Sequence, residues 1–249
     1  MSVPRPGFTA GDDLHAGPPL TERGVVVAID GPSGSGKSTV ARAVAVELGV
    51  GYLDTGAMYR ALTWWCLHEG IPLEDEPPVA QASAAMDLDI GTDPGMPRVT
   101  VGGYDVTGPI RETRISAAVS SVATNLDVRA NMRVRQRALI AQAVEATGGC
   151  VVEGRDITTV VAPDADVRVL LTASEESRLA RRTRELHGGI DPAALAATRD
   201  QVVRRDRDDS TVSQFTTAAD GVVLLDTSAL DLAQSIRAVL RVVREHVPA

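Results

Sequence analysis

Gly31-Pro32-Ser33-Gly34-Ser35-Gly36-Lys37-Ser38 decides how this 249-residue chain is read. It matches G-x-x-x-x-G-K-[ST], a loop whose backbone N–H groups turn inward around anionic oxygens. Lys37 is the only lysine; the other 24 of the 25 Lys and Arg residues are arginine. A planar, forked guanidinium fits poorly where a compact ammonium must curl over the loop and reach β- and γ-phosphates. Ser38 is placed to ligate Mg²⁺, and Asp30 stands as a second contact to the ion through water. The stretch predicts a bound nucleoside triphosphate.

The flanks supply what such a loop needs. Val25 to Ile29 is an apolar, β-branched run suited to a buried parallel strand. Thr39 to Leu48 carries Val40, Val44 and Leu48 at helical spacing and is stopped by Gly49. The N-terminus of that helix adds positive partial charge beneath the phosphates.

Further out, apolar runs alternate with helical patterns. Strands are expected at Tyr52–Asp54, Cys150–Val152, Val167–Leu171 and Val222–Leu225. Helices are expected at Met58–Glu69, Ser174–Leu186, Pro192–Arg205 and Leu232–His246. This rhythm predicts an α/β fold, a three-layer α/β/α sandwich around a five-stranded parallel sheet. Two segments interrupt it. Arg98 to Val106 reads as a hairpin turning on Gly102-Gly103, followed by helix over 114–146, broken near Asn125. Arg178 to Asp209 is dense in arginine and aspartate and reads as a helical lid, with Gly188-Gly189 as its hinge. The expected division is a disordered leader over 1–24 and one domain over 25–249. Its core is 25–72, 147–175 and 218–249; residues 73–146 form an insert and 176–212 the lid.

Composition narrows the function. Net charge is −8, which argues against a general nucleic-acid binder. No stretch of 18 apolar residues is present, so no membrane span is expected. Cys66 and Cys150 lack metal-ligand spacing and read as reduced, buried thiols. The four histidines are scattered. A cytoplasmic monomer acting on small molecules, with no nucleic-acid or membrane partner, is the expectation.

Chemistry-bearing residues recur outside the loop. Leu53-Asp54-Thr55-Gly56-Ala57-Met58-Tyr59-Arg60 puts a hydroxyl and a cation at a helix start, where a second phosphate can dock. Val152-Glu153-Gly154-Arg155-Asp156 follows a buried strand, where open α/β sheets bind ligands. Arg155 can clamp an anion bidentately, and Asp156 can accept from an exocyclic amine or orient an arginine. Arg178 shares a helix face with Arg181 or Arg182, offering cations to a migrating phosphoryl group. A capped helix, a structural Arg–Asp pair and a solvated charged face remain the plain alternatives.

Together these strings resemble the bacterial cytidylate (CMP/dCMP) kinase family of P-loop nucleoside monophosphate kinases, over roughly residues 25–246. The resemblance rests on Ile29 through Ser38, Leu53 through Arg60, Asp105-Val106-Thr107-Gly108-Pro109-Ile110-Arg111, and Glu153 through Ala165. It implies an antiparallel insert in the monophosphate-binding region. It implies ATP on Gly31, Pro32, Ser33, Gly34, Ser35, Gly36, Lys37, Ser38 and Thr39, with Arg178 beside them, and Mg²⁺ as cofactor. It implies CMP or dCMP among Thr55, Tyr59, Arg60, Ser120, Arg129, Arg155, Asp156, Arg205 and Asp209. Ser120, Arg129 and Asp156 would read the cytosine. Lys37, Arg155, Arg181 and Arg205 would carry catalysis. In one place the chain departs from the family pattern: Val212 stands where an arginine is usual, and the segment after it is about two residues short. Loss of one such clamp is worth about 2–4 kcal/mol in a transition state. The rivals are a UMP or shikimate kinase of the same fold, or a nucleotide-binding module with weakened catalysis.

Overall fold

The computed structural model describes residues 24–187 and 192–247; the expected leader and the Gly188-Gly189 hinge lie outside these. Eight strands and eight α-helices follow in order: β1 Val25–Asp30, α1 Lys37–Leu48, β2 Gly51–Asp54, α2 Thr55–His68, α3 Glu76–Ala85, β3 Leu88–Ile90, β4 Val99–Val101, β5 Tyr104–Asp105, α4 Thr113–Ala123, α5 Leu126–Thr147, β6 Gly149–Gly154, β7 Val167–Thr172, α6 Glu175–His187, α7 Pro192–Asp209, β8 Val223–Asp226 and α8 Leu232–His246.

Side chains on successive strand residues point to opposite sheet faces, and β1 makes the consequence plain. Val26 and Ala28 join one apolar core, with Leu53, Val152 and residues of α2, α3 and α5. Val27 and Ile29 join the other, with Val151, Val169 and residues of α1 and α8. Two cores on one sheet make the three layers. The strands run in the order β2-β6-β1-β7-β8, every pair parallel. The expected five-stranded parallel sheet is present. β1 lies at its centre, so the loop leaving β1 emerges between two neighbours that also end there. Cys66 and Cys150 are buried in the first core, and burial pushes their thiols up to about 11 and about 12.

The insert is a three-stranded antiparallel sheet, β3-β4-β5. The expected hairpin turns on Gly102 and Gly103, both at positive φ (56° and 84°) as a tight hairpin turn of this hand requires. The sequence reading had no place for β3. Leu-Asp-Ile is too short for its period to show, and its partner β4 supplies the backbone hydrogen bonds that make it a strand. The break near Asn125 falls where expected. Its side chain caps α5 by accepting from the Asp127 and Val128 N–H groups, while its amide donates to the Glu76 carbonyl.

Candidate active site

A cavity of about 480 Å³ opens beyond the C-terminal ends of β1, β2 and β6. One wall is the β1–α1 loop with the start of α1: Ser33, Gly34, Gly36, Lys37, Ser38 and Thr39. Gly34 has φ 75°, and a Cβ there would lie 2.5 Å from the Arg178 carbonyl oxygen, so only glycine allows the loop to pass beneath the lid helix. Lys37 Nζ lies 3.4 Å from the Pro32 carbonyl oxygen, a weak tether that a phosphate can replace. Burial, then the Arg155 charge, pulls its ammonium down to about 7.

The opposite wall is cationic. Arg60, Arg111, Arg129, Arg155, Arg182 and Arg205 all line it. Each is held by a carboxylate or carbonyl where the structure gives a partner. Arg60 Nη2 donates to Asp54 at 2.8 Å, and Asp54 also caps α2 by accepting from the Ala57 N–H. Arg129 pairs with Asp156 and donates to the Ala123 carbonyl. Arg155 donates from Nε to Asp209 (3.1 Å), from Nη1 to the Gly31 carbonyl, and from Nη2 to Ser33 Oγ (2.8 Å) and Asp206 (3.4 Å). Arg205 lies beside Asp209, and burial pushes its guanidinium down to about 10. Arg60 Nε and Arg205 Nε are buried without a hydrogen-bond acceptor. Buried donors left unpaired are costly.

Most of the expected residues come together here. Gly34, Gly36, Lys37, Ser38 and Thr39, with Thr55, Tyr59, Arg60, Arg129, Arg155, Asp156, Arg205 and Asp209, share this one cavity. Thr55 does so differently from expectation. It is the first helical residue rather than the cap, and its Oγ1 donates to the Glu153 carbonyl. Tyr59 is half-buried, and burial pushes its phenol up to about 12. Burial also raises Asp156, against the pull of Arg129.

Asp30, Arg181, Arg178 and Ser120, expected at the site, do not line this cavity. Asp30 does not face the cavity. Its carboxylate accepts from the Ile157 N–H, the Thr158 N–H and the Thr158 hydroxyl, at 2.7–2.9 Å, and burial raises it to about 6. It fixes the π-helical turn Ile157–Val161. Arg181 turns away too, donating to Thr227 Oγ1 and to the Ser35, Thr227 and Leu230 carbonyls. Its neighbour Arg182 takes the cavity position, because one residue is about 100° of helix. Arg178 braces the outside of the loop, donating to the Ser33 carbonyl and to Asp206, whose Oδ1 accepts from the Ser33 N–H. On α4 the wall is Ser116, Val119 and Ala123, the i, i+3, i+7 stripe; Ser120 lies to one side of it.

Glu153 belongs to the site although its place in the Val152–Asp156 string assigns it no role. It is 2% exposed at the C-terminal end of β6, and its Oε1 accepts from Ser38 Oγ at 2.6 Å. Burial, then the Asp54 charge, raises it to about 7. Its position on the strand beside β1, at the level of the loop, is the signal that would have found it. Arg111 was likewise quoted without a role, and Asp206 went unread within an acidic run. Among the described residues no cluster of three metal-ligating side chains exists. Ser38 and Glu153 offer oxygen ligands only, a donor set suited to an ion that keeps most of its waters and takes the rest from phosphates.

Known proteins bear on this geometry. Residues 27–245 match the family model described as cytidylate kinase. A cytidylate kinase of Streptomyces griseus is 47% identical over 220 residues, 88% of this chain and 92% of that protein. Those of Streptomyces coelicolor and Cutibacterium acnes are each 47% identical as well, covering 93% and 88% of this chain and 98% and 96% of their own lengths. With a triphosphate loop and an arginine-lined acceptor wall on one cavity, and with that match across nearly the whole described chain, the protein belongs to the cytidylate kinase family.

Proposed function

We propose that the chain transfers the γ-phosphoryl group of ATP to CMP or dCMP, giving ADP and CDP or dCDP. The observation that carries this is that the loop residues and the arginines of the opposite wall line the same cavity. ATP would lie on residues 31–39 with its γ-phosphate toward Lys37. The acceptor phosphate would lie among Thr55, Arg60 and Arg155, with the unpaired Arg60 Nε turned to it. Asp156, held by Arg129, would accept from the cytosine amine; the same carboxylate would repel O4 of uracil.

The acceptor is already an oxyanion, so no general base is needed and no covalent enzyme intermediate forms. The work of the protein is alignment and charge neutralisation. Lys37 would follow the γ-phosphoryl oxygens, and Arg155, Arg182 and Arg205 would compensate charge from the lid side. Mg²⁺ is the implied cofactor; Ser38 and Glu153 would hold it, and it would supply Lewis-acid neutralisation of phosphate charge. Water must be kept out, or ATP would be hydrolysed, and the lid over 176–212 suits that task.

The same reading covers organisation. The core over 25–72, 147–175 and 218–249, the insert over 73–146 and the lid would form one catalytic unit, acting as a monomer. Among the described residues no helix is long and apolar enough to cross a membrane, and a cytoplasmic enzyme of small-molecule pyrimidine nucleotide metabolism, without nucleic-acid partners, is the setting we infer. A coupled ADP-release assay across CMP, dCMP, UMP, AMP and GMP tests the reading. Cytidylates are expected to dominate; preferred turnover of any other monophosphate would overturn it.

A further inference from the structure

We propose that Phe215 is a positioning residue for phosphoryl transfer: its ring fixes the plane of the Arg155 guanidinium while leaving that group's N–H donors available to phosphate. The proposal rests on the phosphoryl-transfer reading above.

Phe215 is 1% exposed, and Arg155 Cζ stands over its ring, 4.8 Å from the centroid. The chain has two phenylalanines, and this is the one within the described residues. A single turn delivers it. α7 ends at Asp209, whose carbonyl accepts from the Ser213 N–H (3.1 Å) and the Ser213 hydroxyl (3.0 Å). That turn sets the Asp209 carboxylate on the Nε edge of Arg155 and brings Phe215 to its face.

Edge and face are not equivalent. A guanidinium binds phosphate through its in-plane N–H groups. The Nη edge is engaged with the Gly31 carbonyl, Ser33 Oγ and Asp206, contacts a phosphate oxygen can replace one for one. An aromatic face attracts the cation electrostatically and takes up no donor. It also excludes water from one side of the charge, which strengthens what the edge does. An aliphatic residue there would keep the apolar floor and lose the orientation. Val212, three residues earlier, contributes no charge, so the segment after α7 serves the site by holding an existing cation.

The test uses the full chain as wild type, Phe215→Leu, Phe215→Met, Phe215→Tyr, Arg155→Met and the Phe215→Leu/Arg155→Met double variant. Steady-state kcat and KM are measured for CMP and for ATP, with a denaturation midpoint for each protein. The Leu and Met variants are expected to lose about 3- to 30-fold in kcat/KM for CMP, the span of a cation–π contact between exposed and desolvated settings. Their KM for ATP should stay within about two-fold, and Tyr, which keeps the ring face, should restore CMP turnover. In the Arg155→Met background, Phe215→Leu should cost little more, because coupled residues are not additive. Should Leu fail to fold, Met and Tyr carry the comparison. Unimpaired CMP turnover in the Leu or Met variant, or an equal loss with and without Arg155, overturns the proposal alone. A wild type that phosphorylates no cytidylate overturns the function reading, and the proposal with it.

Discussion

The two walls of the cavity are built on opposite plans. The donor wall comes from one continuous stretch, Ser33 to Thr39, and presents backbone N–H groups, a helix N-terminus and Lys37. The opposite wall is assembled from residues between Asp54 and Ser213, carried by α2, α4, α5, α6, α7 and the end of β6. The first is fixed by local backbone geometry. The second exists only when these elements pack, and its cations are held by partners far along the chain, such as Arg129 on Asp156 and Arg155 on Asp209. A wall made locally should lose chemistry without losing stability when it is altered. A wall made at a distance should couple substrate choice to folding.

Lys37→Ala is the sharpest challenge to that contrast. Among the described residues its ammonium makes one hydrogen bond, the long one to the Pro32 carbonyl, so the variant should keep the wild-type melting temperature. It should lose at least about 100-fold in kcat, the scale of removing a transition-state donor. Near-normal turnover, or a large fall in melting temperature, would break the comparison. On the other wall, Asp156→Asn should reduce preference for CMP over UMP by about 10-fold or more. Removing one partner of a buried charged hydrogen bond costs about 1–3 kcal/mol, and the repulsion of uracil is lost. Competition between the two monophosphates measures this, and an unchanged preference would remove Asp156 from the base site.

Proton linkage separates the walls again. Lys37 is lowered to about 7 in the ligand-free protein, whereas phosphates demand the ammonium. The native ammonium therefore loses its proton as pH rises through 7, and ATP binding must restore it. ATP affinity should fall about five-fold from pH 7 to pH 8, with proton uptake on binding. Calorimetry in buffers of different ionisation enthalpy reads this, and Lys37→Met should flatten the pH slope. Proton release on ATP binding would reverse the sign and exclude the linkage. The smallest expected effect belongs to Asn125→Ala, which uncaps the helix that carries Arg129. It should cost about 1 kcal/mol in stability, with a raised KM for CMP and an unchanged KM for ATP. A matching rise in both KM values would show that the walls are not separable.

Legibility in the sequence follows the same division. The loop, β1 and α1 could be read directly, because a glycine-rich turn between an apolar run and a 3.6-residue period is a local pattern. The Gly102-Gly103 hairpin and the Asn125 cap were legible for the same reason. That Asp30, Arg178, Arg181 and Ser120 lie off the cavity lining was not legible, because a residue type in a motif does not state which way its side chain points. Arg181 and Arg182 are indistinguishable as adjacent arginines; one reaches the Thr227 and Leu230 carbonyls and the other the cavity. Glu153 was passed over because its meaning comes from β6 lying beside β1, a pairing across 124 residues in the register Ile29 to Glu153.

By itself the sequence determined the triphosphate loop, the alternation that makes a parallel sheet, and the need for cations beyond it. Each is encoded in neighbours along the chain, where spacing fixes geometry. Only the tertiary structure decided which arginines line the cavity, which carboxylate meets Ser38, and that Phe215 lies against Arg155. Those are matters of side-chain direction and of contacts between distant segments, and both are set by packing.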